Sequence, residues 1–155
     1  MRRALPFKPS STELRQICNF RDIPGVFATS GQPDEQQFRL IKQAGYGAII
    51  NLAPTAIIEN SLRNESEVTA ELGLRYTHIP VDFKNPTDDN FRRFVEAVDD
   101  SRETKLWVHC AANMRVSAFT FRYRKTHLGH DTAAAAADLH AIWQPTGVWK
   151  EFIER

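Results

Sequence analysis

Apolar positions along this chain change period repeatedly, from helical spacing to short continuous runs, and each change predicts a new element. Phe38, Leu40, Ile41 and Ala44 form one face of a helix that opens near Pro33-Asp34 and stops at Gly45, and the run Ala48-Ile49-Ile50-Asn51-Leu52 follows as a buried strand. Residues 65–72 repeat the helical pattern up to Gly73, and 75–81 read as a strand entering a loop. Thr87 or Asp88 suits the cap of a helix with Phe91, Phe94, Val95 and Val98 on its apolar face, which leads to the apolar run Leu106-Trp107-Val108. Three further helices are predicted over 116–128, 132–143 and 146–153, the second carrying a tightly packed alanine run, 133–137. Nearer the start, 17–20 and 26–29 read as short strands around the turn Asp22-Ile23-Pro24-Gly25, an edge hairpin. Mostly alternating strand and helix, with no internal repeat and no low-complexity linker, predicts an α/β fold. Residues 1–15 are expected to be a flexible, basic N-terminal segment and 16–155 a single domain.

Composition narrows the picture. A chain of 155 residues, 42% of them hydrophobic, suffices for one core that buries roughly 70% of the unfolded surface. A net charge of +1 argues against a polyanion partner, so no nucleic acid is expected; the cluster Arg122, Arg124 and Lys125 is read as a solvated face. Cys18 and Cys110 lie far apart in unlike surroundings, which favours a reduced, cytoplasmic chain over a disulfide framework. Met1-Arg2-Arg3-Ala4-Leu5-Pro6-Phe7 has no apolar stretch behind its basic residues, and no run reaches membrane length, so neither export nor a membrane span is expected. His127 and His130 lack the cysteines or carboxylates that would complete a ligand set, so no metal or cofactor is expected. Trp107, Trp143 and Trp149 are read as packing residues. The sequence leaves the oligomeric state open.

Candidate chemistry gathers in Leu106-Trp107-Val108-His109-Cys110-Ala111-Ala112-Asn113-Met114-Arg115-Val116-Ser117. An apolar strand delivers a cysteine and then an arginine into a loop that opens a helix. A helix start leaves backbone N–H groups without internal partners and carries partial positive charge, so a thiol there is drawn toward thiolate and an oxyanion is held above it. Ala111, Ala112, Asn113, Met114 and Arg115 are the candidate phosphate-binding residues.

These residues resemble the protein tyrosine phosphatase superfamily, whose signature is His-Cys, five intervening residues, then Arg and usually Ser or Thr. Here four residues separate Cys110 from Arg115. Counted from Ser117, the family's hydroxyl position, the arginine place falls on Val116; either the loop is one residue short or its arginine is displaced by one. Asn113 falls where the family commonly has glycine, and asparagine tolerates a left-handed backbone best among other residues. Phe27-Ala28-Thr29-Ser30-Gly31-Gln32-Pro33, a helix, then Ile49-Ile50-Asn51-Leu52 is similar to the opening of small bacterial dual-specificity-like phosphatases. The resemblance covers most of the chain and implies a three-layer domain, a central mostly parallel sheet flanked by helices.

The resemblance also implies roles. Cys110 would attack phosphorus to give a thiophosphate intermediate, Arg115 would clamp two phosphoryl oxygens through its planar fork, and Asp82, in Ile79-Pro80-Val81-Asp82-Phe83-Lys84-Asn85-Pro86, would protonate the leaving oxygen, with Asp88 and Asp89 as substitutes. His109 is expected to be a buried residue that bonds the loop, and Ser117 either a donor to the leaving thiolate or a helix cap. The implied partner is a phosphorylated substrate of unspecified class. Two alternatives stand beside the phosphatase. A rhodanese-like sulfurtransferase would carry a Cys110 persulfide in a cradle with four residues before its arginine, and a non-catalytic phosphate-binding module would use the same donors without turnover.

Overall fold

A computed structural model describes residues 11–55, 62 and 64–155. Five strands, β1 (Arg21–Ile23), β2 (Phe27–Ser30), β3 (Tyr46–Asn51), β4 (Arg75–His78) and β5 (Lys105–His109), form one sheet in the order β1-β2-β5-β3-β4. β2, β5, β3 and β4 run parallel, and β1 pairs antiparallel with β2 at the edge. In this register Ser30, His109, Asn51 and His78 make one row across the carboxyl ends of the four parallel strands. Ligand sites in parallel sheets sit at that end.

Among the described residues seven α-helices cover the sheet: α1 (Ser11–Arg15), α2 (Glu35–Gln43), α3 (Glu65–Glu71), α4 (Asp88–Asp100), α5 (Met114–Tyr123), α6 (Thr132–His140) and α7 (Val148–Glu154). The two-residue period of β5 divides its side chains between two cores. Leu106, Val108 and Cys110 pack with Phe91, Phe94, Val116, Phe119, Trp149 and Phe152, from α4, α5 and α7. Trp107 instead packs with Ile17, Phe38, Ile41 and Val68, on the side of α1, α2 and α3. The domain is therefore the expected three-layer α/β fold. Fully buried side chains such as Phe38 and Phe119 each contribute about 1.5–3 kcal/mol.

The helix starts follow local chemistry. Asp34 accepts from Gln37 N while the Gln37 side chain accepts from Asp34 N, and Thr87 and Asn90 repeat this reciprocal cap on α4. Thr87, not Asp88, is thus the cap.

Several expectations need correction. The strand expected over 17–20 is absent, and β1 begins at Arg21; Asn19 adopts φ 48°, a left-handed conformation that ends any extended run there. Of the N-terminal segment, residues 1–10 lie outside the described residues, while Ser11–Arg15 is helical, with Leu14 packed against the core beside Ile17. α5 begins two residues earlier than expected and passes into a π-helical turn, Arg124–Leu128, before Gly129. In the alanine run Ala135 is buried, but Ala133, Ala134 and Ala137 are exposed. The basic cluster is not a solvated face either. Arg122 lies over the rings of Phe91 and Phe152, Arg124 is buried against Asp138 and His130, and Lys125 donates to the Ile153 carbonyl.

Candidate active site

β5 carries the sequence into the space between α5 and the loop after β4. His109 ends the strand, Cys110 follows it, and Asn113 immediately precedes α5 with φ 67°, the left-handed turn expected there. The Asn113 amide holds that turn by donating to Asn19 O (2.8 Å) and Thr29 Oγ1 (3.1 Å).

Three successive carbonyls of this loop are tied to groups outside it. Cys110 O meets His109 Nδ1 at 3.2 Å, Ala111 O accepts from Gln32 N at 3.0 Å, and Ala112 O accepts from Asn19 Nδ2 at 3.0 Å. In a planar trans peptide the N–H points opposite its C=O. Fixing these carbonyls outward therefore directs the N–H groups of Ala111, Ala112 and Asn113 to the other side, where the unpaired N–H groups of the first turn of α5 add to them. Donors converging in this way are what an anion cradle needs. Gly31 makes it possible, since a Cβ at that position would lie 2.6 Å from the Ala111 carbonyl oxygen and 2.8 Å from Cys18 Sγ.

Arg115 stands on the first turn of α5. Its Nη1 donates to Val81 O at 3.4 Å, its guanidinium faces the Phe83 ring at 5.7 Å, and its buried Nε has no partner among the described residues. Val116 is fully buried in the core, so it is Arg115 that leans on the loop carrying Asp82. An unpartnered buried guanidinium N–H is costly unless a ligand completes it.

Asp82 is exposed and its Oδ1 accepts from Lys84 N (2.9 Å). Its two neighbours are fastened: Val81 O by Arg115 and Phe83 O by Trp149 Nε1 at 2.8 Å. Phe83, 40% exposed, also packs against Trp143 and Trp149. The two substitute acids are engaged elsewhere. Asp88 is bonded by Arg155 (3.0 Å) and Arg122 (3.1 Å), which hold its carboxyl below the usual range, and Asp89 is paired with Arg92 at 2.5 Å.

Ser117 is not the cap of α5. Its hydroxyl donates to Met114 O (2.9 Å) and accepts from Trp143 Nε1 (3.0 Å), and the residue preceding α5 is Asn113. Ser117 thus anchors the tryptophan that backs the Asp82 loop.

His109 is fully buried on the opposite face of β5 from Cys110, where the Phe38 ring meets it edge-on at 5.8 Å. Its Nε2 faces Glu65 Oε2 at 2.7 Å. Glu65 also accepts from Gln32 Nε2 at 2.7 Å and from the Tyr76 hydroxyl. Burial works against its ionisation, but the His109 imidazole and the bonds from His109, Gln32 and Tyr76 outweigh it and keep the carboxyl below its ordinary range. Sequence alone assigned no role to Glu65, nor to Gly31 and Gln32 beyond their place in the stretch that carries the resemblance. Glu65 stood only as a helix start, and nothing in its spacing announced a carboxylate facing the core.

Both cysteines are free, Cys18 exposed and Cys110 buried. Among the described residues no group of His, Cys, Asp and Glu is assembled for a metal ion, and no helix is long and apolar enough to cross a membrane.

Comparison with known proteins adds to this geometry. Residues 15–148 match a family described as DSP-PTPase phosphatase fused to NAD+ kinase. A crystal structure from Shewanella putrefaciens CN-32, assigned as a phosphatase (DUF442), superposes with a TM-score of 0.81 at 30% identity, over 94% of this chain and 95% of that one. The core catalytic domain of the PP-IP phosphatase SIW14 from S. cerevisiae shares the fold at 17% identity and a TM-score of 0.72, over 89% of this chain and 85% of its own. A beta-lactamase hydrolase-like protein of Xylella fastidiosa (strain Temecula1 / ATCC 700964) is 33% identical over 96 residues, 61% of this chain. The aligned stretch spans 22% of that curated relative's length.

Proposed function

Because the chain belongs to the family described as DSP-PTPase phosphatase fused to NAD+ kinase, we propose that it is a cysteine-dependent phosphatase whose nucleophile is Cys110. The observation that carries this reading is the loop itself: a cysteine at its floor, carbonyls turned outward, and an arginine whose buried Nε has no partner among the described residues.

The chemistry proceeds in two displacements. The Cys110 thiolate attacks phosphorus, forming an S–P bond as the P–O bond to the leaving group breaks, while the Asp82 carboxylic acid passes its proton to the departing oxygen. Water then attacks the thiophosphate. Asp82, now a carboxylate, takes a proton from that water, and inorganic phosphate and the thiolate are regenerated. The N–H groups of Ala111 to Arg115 and the Arg115 fork hold the equatorial oxygens throughout, where their charge is greatest. Asp82 is favoured over Asp88 and Asp89 because no arginine among the described residues engages it, whereas Arg122 and Arg155 hold Asp88 ionised and Arg92 occupies Asp89.

Purified wild type should hydrolyse a generic aryl phosphate, and Cys110→Ser should not. If wild type is inactive on phosphoesters yet moves sulfur from thiosulfate to cyanide, the four-residue spacing serves a sulfurtransferase and the proposal fails. Binding of phosphate without either turnover would leave a binding module.

A further inference from the structure

A buried polar network lies behind β5, on the face away from Cys110. Glu65, the first residue of α3, is 3% exposed, and carboxylates are almost never buried so deeply unless paired. Around it converge His109 Nε2 and Gln32 Nε2, each at 2.7 Å, and the Tyr76 hydroxyl, which itself accepts from Asn51 Nδ2 at 3.0 Å. Gln32 is joined to the nucleophile loop as well, its backbone N–H donating to Ala111 O.

The two ring nitrogens of His109 both face acceptors, Nε2 the Glu65 carboxylate and Nδ1 the Cys110 carbonyl. A neutral imidazole has one N–H and satisfies one of them; satisfying both takes a proton on each nitrogen. On the reading of Cys110 as nucleophile, we infer that Glu65 is its positioning residue, holding His109 doubly protonated so that Nδ1 grips the Cys110 carbonyl and a cation sits behind the thiolate. Two effects follow. Gripping that carbonyl from behind turns the N–H of the same peptide, that of Ala111, into the cradle. The imidazolium, one residue from Cys110, favours the ionised thiol more than the carboxylate beyond it disfavours it, since Coulomb energy falls with distance. A further titratable group facing the pair among the described residues is Tyr76 from β4, with the His78 ring stacked on it; Cys110 lies across β5 from them. Burial and the nearby Glu65 charge raise the ionisation of Tyr76 far above neutral pH, so its hydroxyl remains a donor.

The test uses the full chain, wild type and Glu65→Gln, with folding checked by circular dichroism. Iodoacetamide alkylation of Cys110 is followed across pH, with Cys18 as internal control, and nitrogen NMR of histidine-labelled wild type reads the protons on His109. We expect two protonated nitrogens on His109 at neutral pH. In Glu65→Gln the midpoint of Cys110 alkylation should rise by about one pH unit, roughly tenfold less thiolate at a given pH below it, while Cys18 does not move. Turnover of an aryl phosphate should fall about as much, with KM changed less than about twofold, since the N–H groups fixed through the Ala111 and Ala112 carbonyls and the Arg115 fork remain. A single protonated nitrogen on His109 in wild type, or an unshifted Cys110 profile in folded Glu65→Gln, overturns the inference. If the variant does not fold, the wild-type spectrum decides alone. Neither the alkylation profile nor the spectrum depends on hydrolysis, so failure of the phosphatase reading would be recognised separately, by a wild type inactive on phosphoesters.

Discussion

At the scale of single residues, the three aspartates near the loop after β4 differ in what they touch. Asp82 is bonded by its own turn, whereas Asp88 and Asp89 are bonded by arginines. Asp82→Asn should therefore slow hydrolysis of an alkyl phosphate by about 10²-fold or more, and that of an aryl phosphate with a good leaving group much less, as steady-state kinetics on the two substrates will show. Asp88→Asn should leave both rates within about twofold, because its carboxylate serves Arg122 and Arg155. Cys110, Arg115 and the left-handed Asn113 were legible in the sequence, since the spacing of a cysteine, an arginine and a helix start is itself a local pattern. Glu65 was not. Its partners His109 and Gln32 lie 44 and 33 positions away, and only the sheet register brings them together.

Among elements, the segments that position the site are β2, with the Gly31-Gln32 stretch after it, and α7. Gly31→Ala should push a methyl into the Ala111 carbonyl, whose oxygen lies 2.6 Å from where the new Cβ would stand. We expect a stability loss of about 1–3 kcal/mol in chemical denaturation and a drop in turnover; Gly25→Ala, strained by its φ of 77° but meeting no neighbour, should cost stability without the drop in turnover. Trp149→Phe keeps an aromatic ring but removes the donor to Phe83 O. Its cost should be about 1 kcal/mol in stability, together with slower turnover of alkyl phosphates at unchanged oxyanion affinity, because the Asp82 loop loosens while the cradle does not. Periodicity located most helices and the four parallel strands, because their apolar faces must be buried. It misplaced the first strand, where the Asn19 side chain bonds a distant loop carbonyl, and it started α5 two residues late while taking Arg124–Leu128, a π-helical turn, as part of the same regular helix. It also took Arg122 and Arg124 for solvated residues, since a buried arginine stacked on rings or paired across helices has no local signature.

For the whole molecule, binding and protonation both appear as stability. An oxyanion held by the cradle should stabilise the fold by roughly 2.7 kcal/mol at a hundred times its dissociation constant, and melting with and without vanadate should show this in wild type and much less in Arg115→Ala. The Glu65 carboxyl lies below its ordinary value of 4.5 in the folded chain, so its contribution is complete above that pH and is lost as pH falls below it. Melting temperatures should accordingly begin to drop below about pH 4.5, and less steeply in Glu65→Gln. The central claim is that Cys110 bonds phosphorus during turnover. Rapid acid quench of wild type with an aryl phosphate, followed by mass spectrometry of the Cys110 peptide, tests it most directly. A phosphoryl group on Cys110, appearing before steady state and missing in Cys110→Ser, is the expected result. Hydrolysis with no phosphoryl adduct at Cys110, or an adduct of sulfur from thiosulfate with no phosphoester turnover, would contradict it.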